Sequence, residues 1–203
     1  AVCCLSSLNL ETFEEWEKDP NFIEDVMRFL DNVMTDFINR APDEFAHAKY
    51  SAMRERSVGL GVMGLHSYFQ QKNIPFGSVM SKAWNKKIFK NIQEKVDSAS
   101  VLLAEERGSC PDAEEYGIKE RFSNKTAIAP TASISIICGG SSPGIEPIAA
   151  NSYTHKTLSG SFNVRNKYLK KILQKYNQDT DEVWSTITTN QGSVSHLNFL
   201  SAN

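Results

Sequence analysis

The chain has 203 residues, 40% of them hydrophobic, and its 22 Lys and Arg against 24 Asp and Glu leave a formal charge of −2. That length allows a real core, and so small a net charge excludes the strong basic field with which proteins collect nucleic acid or anionic lipid. Apolar runs such as the one around residues 134–138 fall far short of the roughly 20 residues that span a bilayer.

Residues 1–10 are apolar and small with paired serines, and read as a buried strand with its exit loop. The vicinal Cys3 and Cys4 lie in it, and on an extended chain their side chains point to opposite faces, so at most one can serve a given site. From Phe22 the apolar positions recur every three to four residues through Ile38, an amphipathic helix that Pro42 stops. A polar segment, residues 49–56, precedes Gly59, Gly61 and Gly64, which give a G-x-G-x-x-G pattern. A dinucleotide site needs a strand before these glycines and an acid about 20 residues beyond. Residues 79–83 contain no acid, so the glycines read instead as a tightly packed turn entering a buried helix, which Pro75 and Gly77 end. A long helix is expected over residues 80–106, with Gly108 as its stop.

Residues 124–150 change character: few charges, many small, β-branched and turn residues. A buried strand at 126–129 is expected to run into a Ser/Thr-rich loop that opens a short helix. Backbone N–H groups at such a point favour an anion, phosphate above all, although a capped helix start without a ligand reads equally well. Residues 166–176 form a basic amphipathic helix whose lysines suit a solvated face. Cys3, Cys4, Cys110 and Cys138 are too few and too irregular for a disulfide framework or a zinc cluster. The four histidines lack helical metal spacing, and no G-x-S-x-G elbow is present. No repeat, low-complexity tract or internal linker is visible. No secretory signal precedes the first strand, Ala1 stands where Met would be expected, and the chain therefore reads as a piece of something longer in a reducing, cytoplasmic setting.

Taken together, these segments resemble the large catalytic subunit of class I ribonucleotide reductase. Residues 1–10 are similar to the family's A-V-C-N-L-S-S-x-N-L segment, and residues 56–65 to R-x-x-G-L-G-V-x-G-L. Residues 126–147 are similar to A-I-A-P-x-A-S-x-S-I-I-C-G followed by an I-E-P turn, and residues 151–162 and 192–200 complete the series in the family's order. The resemblance implies an α/β fold, a helix-rich portion of the ten-stranded α/β barrel, with residues 1–203 all belonging to that one incomplete domain. It implies radical reduction of ribonucleoside diphosphates to 2′-deoxyribonucleoside diphosphates for DNA synthesis. A non-catalytic phosphate-binding or scaffold module that keeps the fold is the alternative from another class.

Residue by residue, Cys3 matches one of the two family cysteines that deliver reducing equivalents and end as a disulfide. Cys4 stands where the family usually has Asn and reads as facing away. Pro130, Thr131, Ala132, Ser133, Ile134 and Ser135 match the loop whose backbone amides bind the substrate diphosphate, and Ser6 is placed with them as substrate-binding. Cys110 and Cys138 match no redox role, and no metal ligand is implied. The radical-cysteine segment, the partner of Cys3, the allosteric region and the C-terminal tail are expected outside this chain. With them go the ATP or dNTP effectors and the metal-radical cofactor, which belongs to a radical-generating small subunit. Thioredoxin or glutaredoxin is the expected reductant, with the remainder of the large subunit as partner and neither membrane nor nucleic acid.

Overall fold

A computed structural model of the chain describes residues 2–158 and 160–200. They divide into two compact units, residues 1–146 and 147–203, where the sequence shows no linker. The order in the first unit is β1 (Leu5–Asn9), α1 (Phe13–Trp16), α2 (Phe22–Arg40), α3 (Ala46–Glu55), β2 (Gly59–Met63), α4 (Leu65–Gln71), α5 (Val79–Arg107), α6 (Pro111–Glu115) and α7 (Ile134–Ile137). In the second come β3 (Ser152–Thr157), β4 (Gly160–Arg165), α8 (Lys167–Lys175) and α9 (Asp181–Thr189). No helix of the described residues is long and apolar enough to cross a membrane.

In the first unit β1 and β2 run parallel, Leu5 opposite Gly59 through Asn9 opposite Met63. A parallel bridge from Leu60 to Thr126 adds a third neighbour. The ladder reaches one residue before β1, since Gly59 N–H donates to Cys4 O at 2.9 Å. Alternation then sorts the side chains. Cys4, Leu8, Leu60 and Val62 enter the core that Met27 and Leu30 of α2 and Ile88, Ile92 and Val96 of α5 complete. Cys3, Leu5, Ser7 and Asn9 share the opposite face, where Leu5 packs beside Gly59 and Ala127.

Two expectations change here. The glycine pattern is a strand, not a turn: Leu60 and Val62 point to the core on alternate positions while Gly59 and Gly61 lie on the other face. A Cβ on Gly61 would come 2.1 Å from Ala127 O, so the glycine serves a close approach of backbones. The strand expected at 126–129 shrinks to the single bridge at Thr126, because the chain turns away at Pro130, which has no N–H to donate, and at Thr131. The polar segment before Gly59 is the end of α3, whose exit residue Arg56 is left-handed at φ 45°.

Arg56 leads to the most demanding feature of the core. Asp31 lies on the apolar stripe of α2 with Met27, Leu30 and Met34, and its side chain has no exposure at all. Its carboxylate accepts from Arg56 Nε at 3.0 Å, Arg121 Nε at 2.9 Å and Arg107 at 2.7 Å. Burial works against the charge, and the hydrogen bonds from Arg121, Arg107 and Arg56 outweigh it, holding the carboxyl below its ordinary pKa of 3.8.

In the second unit β3 and β4 form an antiparallel hairpin. Beneath it Leu169 and Leu173 of α8 meet Trp184 and Ile187 of α9 and Leu197. Asn166 caps α8 by accepting from Tyr168 and Leu169 N–H.

Removing one partner of such a buried ion cluster costs about 3–5 kcal/mol. Asp31→Asn is therefore expected to lower unfolding free energy by that amount in denaturant titrations. Because the folded pKa lies below the unfolded one, this contribution is complete above the unfolded value and fades as pH falls through the folded value. The gap between wild type and variant should thus hold at neutral pH and narrow below about pH 4. A variant as stable as wild type would remove the cluster from this role.

Candidate functional site

Thr126 pairs with Leu60 and Leu60 with Ser6, so the chain leaves the sheet at Pro130 just beyond Asn9 and Met63, at the C-terminal ends of parallel strands. That is where open α/β sheets place ligands. The loop that follows is exposed at Pro130, Ala132, Ser133 and Ile134, and buried at Thr131 and Ser135. Among the described residues, the N–H groups of Thr131, Ala132, Ser133 and Ile134 have no acceptor, whereas Ser135 N–H donates to Thr131 O at 3.0 Å.

The helix expected after the loop is α7, a single turn of four residues without a side-chain cap at Ser133. So short a helix has little macrodipole, and the donor capacity of the site rests on the free N–H groups. Thr131 sits at φ 52°, a left-handed position that a β-branched residue rarely takes. Its Oγ1 accepts from Gly144 N–H at 2.8 Å. With Ser133 right-handed at φ −95°, the backbone changes hand across Ala132, the kind of change that turns successive amides toward one anion. The side chains at 132 and 133 are small enough for a ligand to reach that backbone.

The return limb holds the loop in place. Ser141 N–H donates to Ser135 O at 2.9 Å, and Ser141 Oγ to Asn9 Oδ1 at 3.0 Å. Ser142 and Ser67 bond reciprocally, Ser142 N–H to Ser67 Oγ at 2.9 Å and Ser67 N–H to Ser142 Oγ at 3.1 Å, both residues being fully buried. Ser67 and the two return-limb serines carry no signal of their own in the sequence. The only signal is the low-charge, serine-rich stretch in which Ser141 and Ser142 lie.

Cys3 is exposed and lies two residues before β1. Cys4 is buried, and its Sγ donates to Leu30 O at 3.7 Å. Burial, with Cys3 adding to it, raises the Cys4 thiol pKa. Ser6 falls on the Cys4 side of the strand, so its side chain does not share the face of Cys3. Cys138 is exposed and Cys110 buried. Among the described residues, no hydrogen bond joins Cys3 to the loop, and no three His, Cys, Asp or Glu side chains are grouped to hold a metal ion.

The family model for the ribonucleotide reductase barrel domain matches residues 1–120 and 111–203. The ribonucleoside-diphosphate reductase large subunit of Invertebrate iridescent virus 6 is 50% identical over 199 residues, covering 97% of this chain and 20% of that protein. The large subunit of Invertebrate iridescent virus 3 is 46% identical over 203 residues, covering 98% and 32%. Among solved structures, the class Id ribonucleotide reductase alpha subunit of Actinobacillus ureae superposes with a TM-score of 0.87 at 40% identity, over 97% of this chain and 36% of that one. The chain thus spans a third or less of the two viral relatives. It belongs to the ribonucleotide reductase barrel domain family and forms a portion of that α/β barrel.

Proposed function

We propose that this chain is the part of a ribonucleoside-diphosphate reductase large subunit that supplies one reducing thiol, Cys3, and the substrate's diphosphate cradle. The observation that carries the reading is the set of unbonded N–H groups at Thr131, Ala132, Ser133 and Ile134, beyond the C-terminal ends of β1 and β2, with Cys3 two residues before β1. Pro130 and Ser135 bound the cradle, and Ser6 is assigned no substrate contact. The relatives' names state the activity, and the chain carries a thiol and an anion cradle suited to it.

In this reading the diphosphate accepts from the loop amides, which fixes the ribose over the sheet face. Two thiols, Cys3 and a second one outside this chain, each give up a proton and an electron. The 2′ C–O bond breaks, oxygen leaves as water, a C–H bond replaces it, and the two sulfurs end as a disulfide. The radical that starts the reaction arises outside this chain, on a metal-containing small subunit, and ATP or dNTP effectors bind elsewhere in the large subunit. A thioredoxin or glutaredoxin in the cytoplasm returns the disulfide to two thiols. Cys4 takes no part, since its thiol is buried and its pKa raised, which keeps it from the thiolate form that reacts.

In the large subunit assayed with a small subunit and a dithiol reductant, Cys3→Ser is expected to reduce diphosphate turnover to background while Cys138→Ser retains it. Turnover that survives Cys3→Ser overturns the assignment. Ala132→Pro removes one amide donor and should weaken nucleoside-diphosphate binding roughly ten- to a hundredfold, the worth of a hydrogen bond to a charged group. Unchanged affinity would remove the cradle.

Alkylation separates the vicinal thiols directly. Iodoacetamide at neutral pH should modify Cys3 and Cys138 and spare Cys4 and Cys110, as mapped by peptide mass. Equal labelling of Cys3 and Cys4 would contradict the facing derived from strand alternation.

A further inference from the structure

We infer that Asn9, Ser67, Ser141 and Ser142 form a clasp that positions the diphosphate cradle at the end of β1, the strand that follows Cys3, an inference that rests on the reading of residues 130–135 as that cradle. They are positioning residues: they lie behind the loop and hold it without touching substrate.

The outgoing limb cannot hold itself. Its amides at 131–134 are unbonded and α7 is one turn long. Two bonds knit it to the return limb: Ser141 N–H to Ser135 O, and Gly144 N–H to Thr131 Oγ1. The return limb is then fastened to the framework at two places. Ser142 is anchored to the start of α4 by the reciprocal pair with Ser67 and by Gly64 N–H donating to Ser142 O at 2.8 Å. Ser141 is anchored to the last residue of β1 through Asn9.

Asn9 is suited to be the fixed post. Its Oδ1 accepts from Glu11 N–H at 3.1 Å as well as from Ser141 Oγ, while its carbonyl accepts from Thr12 Oγ1 at 3.1 Å and Trp16 Nε1 at 3.2 Å. Backbone and side chain are therefore both held. Gly64 clears the room around the junction: a Cβ there would stand 2.9 Å from Asn9 Oδ1 and 3.1 Å from Ser141 Oγ, and its φ of 81° disfavours any side chain. Because Asn9 ends β1 and Cys3 lies two residues before its start, the clasp refers the cradle to the strand that the reducing thiol leads into.

The test uses the large subunit, with cytidine diphosphate as substrate. Ser141→Ala, Asn9→Ala and Ser142→Ala are each expected to raise KM about tenfold with kcat within about threefold, because the diphosphate is a non-reacting part whose grip is lost alike in ground and transition states. Asn9→Asp, which still offers an acceptor oxygen to Ser141 and Glu11, should restore KM to within about threefold of wild type. Ser141→Ala, which deletes one hydroxyl and no bulk, keeps the test open if Asn9→Ala does not fold. An unchanged KM in Ser141→Ala, or a fall in kcat with KM unmoved, overturns the clasp. Ala132→Pro, run alongside, tells the two failures apart. If it weakens substrate binding while Ser141→Ala does not, the clasp alone fails. If it too is without effect, the cradle reading fails with it.

Discussion

One carboxylate, that of Asp31, governs where the strands of the first unit begin. It is fully buried on α2 and bound by arginines from three other places: the exit of α3, the last turn of α5, and the segment leading to Thr126. Three guanidinium groups on one carboxylate leave excess positive charge in a poorly solvated place, which is costly unless the other donors are met. They largely are: Arg121 also donates to Arg107 O and Gly108 O, Arg56 to Asp31 O and Thr35 Oγ1, and Arg107 keeps a third of its side chain in solvent. Arg56 lies three residues before β2 and Arg121 five before Thr126. The cluster therefore ties the start of β2 to the segment that bridges it at Thr126.

From those starting points the site follows by register. Once Ser6, Leu60 and Thr126 are level, Asn9, Met63 and the exit at Pro130 are level within a residue or so. The loop at 130–135 then follows at the strand ends. Gly61 permits the close passage of residue 127, and Gly64 permits the junction between β1 and the return limb. The glycine pattern that superficially suggests a nucleotide fingerprint thus works for the site indirectly, through the closeness of backbones.

How much of this could be read from residues alone depends on how far apart the interacting groups lie. The helices α2, α5 and α8 were legible because each carries its apolar stripe locally, and the opposed facing of Cys3 and Cys4 follows from the pleat of a single strand. β2 was hidden because glycines at 59 and 61 erase the alternating pattern on one of its faces, leaving only Leu60 and Val62 to show it. The exposed, polar α3 offered no stripe. The role of Asp31 was not legible, because its partners sit 25, 76 and 90 residues away. The clasp is harder still: Ser141 is 132 residues from Asn9 and Ser142 is 75 from Ser67, and small polar side chains carry no periodic signal.

Thr131 shows why the clasp and the cradle belong to one device. A β-branched residue in the left-handed region costs on the order of 1–3 kcal/mol, and left to itself the loop would relax by flipping that residue. The hydrogen bonds of the return limb oppose the flip, since Gly144 N–H is held against Thr131 Oγ1 and Ser142 is buried against α4. The strain is thus borne by the folded framework, which holds the loop in that conformation. A cradle ordered in advance spends less of its binding free energy on ordering itself.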